Sequence, residues 1–252
     1  MQVLRGNEWA QRLGAALQQA PGAVDSWMAG QAHILKSDAH SQVGLLTLEG
    51  QLCYLKLYRS TSGLQRLGYR LGRGRAVHAF DAALRLQAAG VSVPLPLACL
   101  RVSGGVLLLT EGVADSVDLK SLWLQGLHGE GLAQVMQTAA RALASLHSAG
   151  FSHGDCKWSN FLCAGDDILF IDLEGVRGSA PGARGSVRDL ARFTLNAEDM
   201  GLEQGIYDDF LATYSGALQL ATDALREAVL TILRPLRERH LQRYGQRGHC
   251  LL

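Results

Sequence analysis

The sequence predicts an α+β protein in two parts, strand-rich over residues 1–111 and helical over 112–252. Three observations carry this expectation. Between Ala32 and Tyr58 the apolar residues fall in short runs separated by turn residues, the pattern of strands. After Gly112 they recur at helical spacing. No repeat, low-complexity tract or long linker separates the two halves.

The elements follow in order. His33–Lys36, Val43–Leu48 and Leu52–Tyr58 read as a three-strand meander, the last two joined across Glu49-Gly50-Gln51. Arg75–Ala89 is rich in Ala and Leu and stops at Gly90, as a helix does, and Val106–Thr110 reads as a buried strand. Leu132, Val135, Met136, Ala139, Leu143 and Leu146 keep one apolar face through Glu130–Ala149, and Gly150 ends that helix. Phe161-Leu162 and Ile168–Ile171 flank Gly165-Asp166-Asp167 as a small hairpin. Helices over 203–220 and 222–244 finish the chain, with Pro235 expected to kink or divide the last.

Composition limits the function classes. Lys plus Arg number 24 against 23 for Asp plus Glu, so a net charge of +1 speaks against a nucleic-acid partner. The five cysteines are far apart, with no C-x-x-C spacing, which fits a reducing compartment. The N-terminal stretch carries Arg5, Glu8 and Arg12 instead of a secretory apolar run, and no run of ~18 apolar residues appears. The expected location is cytoplasmic, with membrane contact no more than peripheral.

The chemistry concentrates in Phe151-Ser-His-Gly-Asp-Cys-Lys-Trp-Ser-Asn-Phe-Leu162 and Ile168-Leu-Phe-Ile-Asp-Leu-Glu-Gly175. An H-x-D-x-K-x-x-N loop after a long helix, then a hairpin ending in a second Asp, is the order used for phosphoryl transfer from ATP. That reaction needs a carboxylate to take the proton of an attacking hydroxyl and hard oxygen ligands for Mg²⁺. Asp155 is the expected base, Asn160 and Asp172 the metal ligands, and Lys157 a cation near the transferring phosphate.

Upstream, Lys56 in Leu52-Cys-Tyr-Leu-Lys-Leu-Tyr58 is the candidate lysine for the α and β phosphates; the alternative is an edge-strand lysine that blocks aggregation. Alternation puts Tyr54, Lys56 and Tyr58 on one face and Cys53, Leu55 and Leu57 on the other. The segment Lys36-Ser-Asp-Ala-His-Ser-Gln-Val-Gly44 lacks G-x-G-x-x-G. Ser37, Ser41 and its backbone amides could cradle phosphate, and a plain polar hairpin explains the composition equally well. Thr110-Glu111-Gly112 stands where a hinge would offer backbone groups to adenine.

These residues resemble the lipopolysaccharide core kinases of the Kdo/WaaP type. The likeness runs from about residue 30 to 195 through Tyr54-Leu-Lys56-Leu-Tyr58, Ala89-Gly-Val-Ser-Val-Pro-Leu-Pro96, His153-Gly-Asp155, Ile171-Asp172 and Arg188-Asp-Leu-Ala-Arg192. The resemblance implies a bilobal protein-kinase-like fold with a small β-rich N-lobe and a helical C-lobe. It also implies transfer from Mg-ATP to a heptose or Kdo hydroxyl of the lipopolysaccharide inner core, at the cytoplasmic face of the inner membrane. The short stretch from Asp172 to Arg188, without A-P-E, and Gly154 where protein kinases commonly carry Arg, argue against a peptide substrate.

The chain departs from the kinase pattern where a helix Glu should pair the strand lysine. His78-Ala79 stands there, and Asp81 lies about 200° around the helix from Ala79. A pseudokinase scaffold in envelope assembly is therefore one alternative, and a small-molecule phosphotransferase of the aminoglycoside or choline kinase type another. Two basic runs bear on the substrate: Lys56, Arg59, Arg66, Arg70, Arg73 and Arg75 without an acid between 50 and 80, and five arginines against Glu238 between Arg234 and Arg247. An anionic glycolipid acceptor or bilayer selects such runs, and so does an ordinary solvated surface. His147 reads as a helix C-terminal dipole or packing residue, Trp9, Trp27 and Trp123 as packing residues, and Trp158 as a residue that shapes the acceptor site.

Overall fold

Cys53, Leu55 and Leu57 are buried in one apolar cluster with Ala10, Leu13 and Met28, while Tyr54, Lys56 and Tyr58 take the opposite face of their strand. In the computed structural model, which describes residues 1–19, 22–60, 68, 74–245 and 249–252, this cluster is the core of the first of two compact units. That unit comprises residues 1–87 and 93–114, and the second comprises 88–92 and 115–252.

The first unit is built on a six-stranded antiparallel sheet of β1 (Gln2–Arg5), β2 (His33–Ser37), β3 (Ser41–Leu48), β4 (Gln51–Arg59), β5 (Pro96–Val102) and β6 (Gly105–Glu111), in the order β1-β5-β6-β4-β3-β2. The expected meander is β2-β3-β4. Helices α1 (Asn7–Gln18) and α2 (Val24–Gln31) cover one face through the core cluster. Helix α3 (Arg75–Ala88) buries Ala76, Val77, Ala79, Phe80, Ala82, Ala83 and Leu86. Sequence reading did not foresee β1, α1, α2 and β5. Gly6 joins β1 to α1 at φ +66, where a Cβ would lie 1.9 Å from the Leu97 carbonyl oxygen, so only glycine fits.

The second unit starts with β7 (Ser116–Asp118), α4 (Leu119–Leu124) and the long helix α5 (Gly129–Ser148). Asp118 caps α4 by accepting from the Ser121 N–H. Next come β8 (Phe151–Ser152), the hairpin β9 (Phe161–Ala164) and β10 (Asp167–Phe170), and β11 (Arg177–Gly178), which pairs with β8. Three helices follow: α6 (Arg184–Met200), α7 (Gln204–Ala217) and α8 (Thr222–Tyr244). Helix α6 was not anticipated, because its inward face carries Ser186, Asp189 and Thr194 among the apolar residues and blurs the periodicity. Pro235 does not divide the last helix: α8 runs through it to Tyr244. Among the described residues no helix is long and apolar enough to cross a membrane.

Candidate active site

The loop between β8 and β9 is held by one buried carboxylate from α6. Asp189 is fully buried and accepts from the backbone N–H of His153 and, at 2.9 Å, from that of Gly154. Its Oδ2 also faces His147 Nε2 at 3.3 Å, and His147 Nδ1 lies 2.6 Å from the Tyr214 hydroxyl. His147, expected as a helix C-terminal dipole or packing residue, is buried and joins Asp189 to Tyr214 through its two ring nitrogens. Asn196, two turns after Asp189, accepts from the Trp158 N–H at 3.0 Å.

His153 locks the loop from its other side. Its Nε2 donates to the Ile171 carbonyl at 2.9 Å and its Nδ1 faces the Asp155 N–H at 3.3 Å, which fixes a neutral imidazole protonated on Nε2. Burial pushes its pKa below the ordinary 6.5, against the smaller opposing pull of Asp189. Burial likewise raises the Cys156 thiol well above its ordinary range, so that side chain is a neutral packing group.

Asp155 faces two cations. Arg192, from α6, donates to Oδ1, and the Lys157 ammonium lies 3.0 Å from Oδ2. Asn160 donates its amide N–H to the Asp155 carbonyl at 2.8 Å, which leaves its amide oxygen as an acceptor. Asp172 stands in the left-handed region at φ 62 and ψ 53, an uncommon backbone state for a non-glycine residue, though one that Asp tolerates better than most. The Ile171 N–H donates to the Asn160 carbonyl at 3.1 Å, His153 holds the Ile171 carbonyl, and Gly154 and Gly175 touch backbone to backbone. A Cβ on Gly154 would lie 2.4 Å from the Gly175 oxygen at φ +81, and one on Gly175 would lie 2.7 Å from the His153 oxygen. Glycine before Asp155 is therefore a steric requirement of this loop.

The structure thus brings Asp155, Lys157, Asn160 and the Asp172 backbone into one braced assembly. Asn and Asp oxygens are the hard donors that Mg²⁺ takes together with phosphate oxygens, so the residues present suit that ion. Among the described residues no cluster of three or more His, Cys, Asp or Glu competes for a metal.

The remaining sequence candidates lie in the first unit. Lys56 pairs with Val43 on β3 and Leu108 on β6, so it sits on an interior strand, and the edge-strand alternative is corrected. Its ammonium lies 4.8 Å from the centre of the Tyr58 ring, which Arg75 also approaches at 5.5 Å. Ala79 is buried at the place of the expected helix Glu, and both oxygens of Asp81 are taken by Arg5, at 2.8 and 3.0 Å.

The Ser37–Ser41 segment is a polar hairpin closed on itself. Asp38 accepts from the N–H groups of His40 at 2.8 Å and Ser41 at 2.9 Å, and these bonds, with Lys36, lower its carboxyl to about 2. The Ser37 hydroxyl accepts from Arg59 at 3.4 Å, and Arg59 also pairs with Asp25. The amides expected to cradle phosphate therefore already bind a carboxylate. At the hinge, the N–H groups of Glu111 and Gly112 are bonded to Leu95 and Leu52 at 2.8 and 3.0 Å.

Trp158 departs from expectation. It is fully buried, 6.0 Å from the Trp123 ring and 5.7 Å from that of Phe193, so it supports the loop from below instead of lining an acceptor site. Of the two basic runs, Arg66, Arg70, Arg73 and Arg247 lie outside the described residues. Arg59 and Arg237 are internal ion-pair partners, to Asp25 and Glu198. Sequence reasoning quoted Asp189 and Arg192 within the Arg188–Arg192 likeness but gave them no role, and it missed Asn196. Besides that likeness, their signal is polar residues at spacings of three and four along one helix.

The lipopolysaccharide kinase (Kdo/WaaP) family matches residues 25–214 of the chain. No curated protein matches it.

Proposed function

The chain belongs to the lipopolysaccharide kinase (Kdo/WaaP) family, and from that premise we propose that it transfers the γ-phosphoryl group of Mg-ATP to a heptose or Kdo hydroxyl of the lipopolysaccharide inner core. The observation that carries the reading is the braced loop in which Asp189, Gly154 and His153 fix the backbone around Asp155, Asn160 and Asp172. Phosphoryl transfer asks for positioning and charge more than for covalent chemistry, and rigid bracing supplies positioning.

In this reading Asp155 orients the acceptor hydroxyl and takes its proton. Lys157 and Arg192, both on that carboxylate, hold it oriented, and Lys157 is the cation near the transferring phosphate that offsets charge there. Asn160 and Asp172 supply oxygen ligands for Mg²⁺, which when bound neutralises the phosphate oxygens. Lys56 contacts the α and β phosphates, and the backbone at Glu111 contacts adenine. Ser37 and Ser41 take no part while Asp38 holds their loop. The work is expected at the cytoplasmic face of the inner membrane, with the protein peripheral to it.

One observation favours a second reading, a nucleotide-binding scaffold without transfer. Ala79 stands where the lysine-pairing Glu belongs, and Asp81 is committed to Arg5. Labelled γ-phosphate supplied as Mg-ATP to a cell extract, then separated into lipopolysaccharide, protein and small-molecule fractions, decides between them. Label in lipopolysaccharide that Asp155→Asn loses supports the sugar kinase. Label in the small-molecule fraction keeps the mechanism and changes the acceptor, and no label in any fraction, with Mg-ATP still raising the melting temperature, supports the scaffold.

A further inference from the structure

Helices α6 and α8 line an open groove of about 650 Å³ within the second unit. Its apolar lining includes Val187, which is buried, and Ile232 and Leu236, which are half-buried, and its exposed lining carries Arg184, Arg188 and Arg239. All three arginines are exposed, and none forms an ion pair among the described residues. No carboxylate lines the groove. That is unusual on a chain whose charges nearly cancel, and Arg226 and Arg237 of the same helix are paired, with Asp208 and Glu198. Three like charges around one concavity repel each other unless an anion joins them, so the arrangement selects an anionic ligand.

Size and lining narrow the chemistry. The volume far exceeds one phosphate, and an aliphatic lining suits the apolar face of a sugar ring, while guanidinium groups take phosphate or carboxylate oxygens two at a time. The groove also connects to the braced loop through α6. Arg184, Arg188 and Arg192 follow at intervals of four, so successive guanidinium groups rise ~6 Å along the helix from the groove toward Asp155. Helix α8, which forms the far wall, lies beyond the residues that match the family.

We propose that this groove is a docking subsite for a phosphorylated saccharide headgroup of the glycolipid acceptor, which it holds by its anionic groups while a neighbouring hydroxyl reaches Asp155. The proposal rests on the reading that the acceptor is lipopolysaccharide core. The test is binding of the full chain to phosphatidylcholine vesicles in which about one lipid in ten is rough lipopolysaccharide with a heptose- and Kdo-containing inner core, alongside transfer kinetics. The variant R184Q/R188Q/R239Q changes exposed side chains only, and its melting curve checks the fold. A control, R101Q/R141Q/R234Q, removes the same charge elsewhere.

At roughly a factor of five per arginine, the groove variant should bind about a hundredfold more weakly, and the control should stay within about tenfold of the parent. KM for the glycolipid should rise with kcat and the KM for ATP unchanged. Wild-type vesicle binding by the groove variant overturns the subsite, as does an equal loss in both variants. Equally tight binding of the parent to phosphatidylglycerol vesicles of matched charge overturns the saccharide assignment. If no phosphate reaches lipopolysaccharide but the groove variant still loses the vesicles, the transfer reading fails and the subsite stands.

Discussion

The loops at 37–41 and 153–157 are both short, polar and placed between strands, yet they are held by different means. The first is closed locally: Asp38 binds the amides two and three residues ahead of it, in the open. The second is closed from a distance, by a buried carboxylate 36 residues ahead in sequence and by a backbone contact that leaves no room for a Cβ. A self-closed loop can change without disturbing its surroundings. A loop closed by a buried helix transmits any change into the core, and in exchange its carboxylate stays where it is put.

The largest effect expected from this contrast is at Asp189. Asp189→Ala leaves two backbone N–H groups without a partner, at ~1–3 kcal/mol each, and calorimetry should show the melting temperature lower by about 10 °C. Asp189→Asn, which keeps one acceptor oxygen, should fall between. Gly154→Ala comes next. Positive φ and collision with the Gly175 carbonyl should cost ~3 kcal/mol and abolish transfer, and an unchanged melting curve would show that the two backbones do not touch in solution.

Smaller still is an acid effect. His153 is neutral in the folded chain to below pH 6.5, so between 6.5 and that lower value only the unfolded chain takes up the proton, and stability falls as pH drops through the window. His153→Gln should flatten that part of a melting-temperature profile against pH. The smallest effect on stability belongs to Asp38→Ala, which should leave the melting temperature within about 2 °C. By freeing the His40 and Ser41 amides it should lower the KM for Mg-ATP by up to about fivefold. A higher KM would mean that nucleotide binding needs the closed hairpin.

The same contrast explains what could be read in advance. The spacing of His153, Asp155, Lys157, Asn160 and Asp172 is local, so the sequence displays it directly. The groups that make it rigid are not: Asp189, Arg192 and Asn196 lie on α6, whose polar inward stripe hid the helix itself. Strand β5 escaped because Pro96–Val102 is buried nearly throughout and shows no alternation. The α1 stripe of Trp9, Ala10, Leu13, Ala16 and Leu17 was legible at helical spacing and was passed over; what the sequence hides in the β1–α1–α2 segment is its junction, which depends on a contact between Gly6 and distant Leu97. Trp158 was read by its neighbours in sequence, although its burial is set by Trp123 and Phe193.

The most direct test is the rate of γ-phosphate transfer from Mg-ATP to purified rough lipopolysaccharide with a heptose- and Kdo-containing inner core, by the wild type and Asp155→Asn, with melting temperatures taken on the same samples. Loss of the base should lower the rate by at least about a thousandfold, since general-base catalysis contributes ~10²–10⁴ and the ion pairs to Arg192 and Lys157 are lost with it, while the melting temperature moves by no more than about 2 °C. Transfer by Asp155→Asn at the wild-type rate would contradict the account.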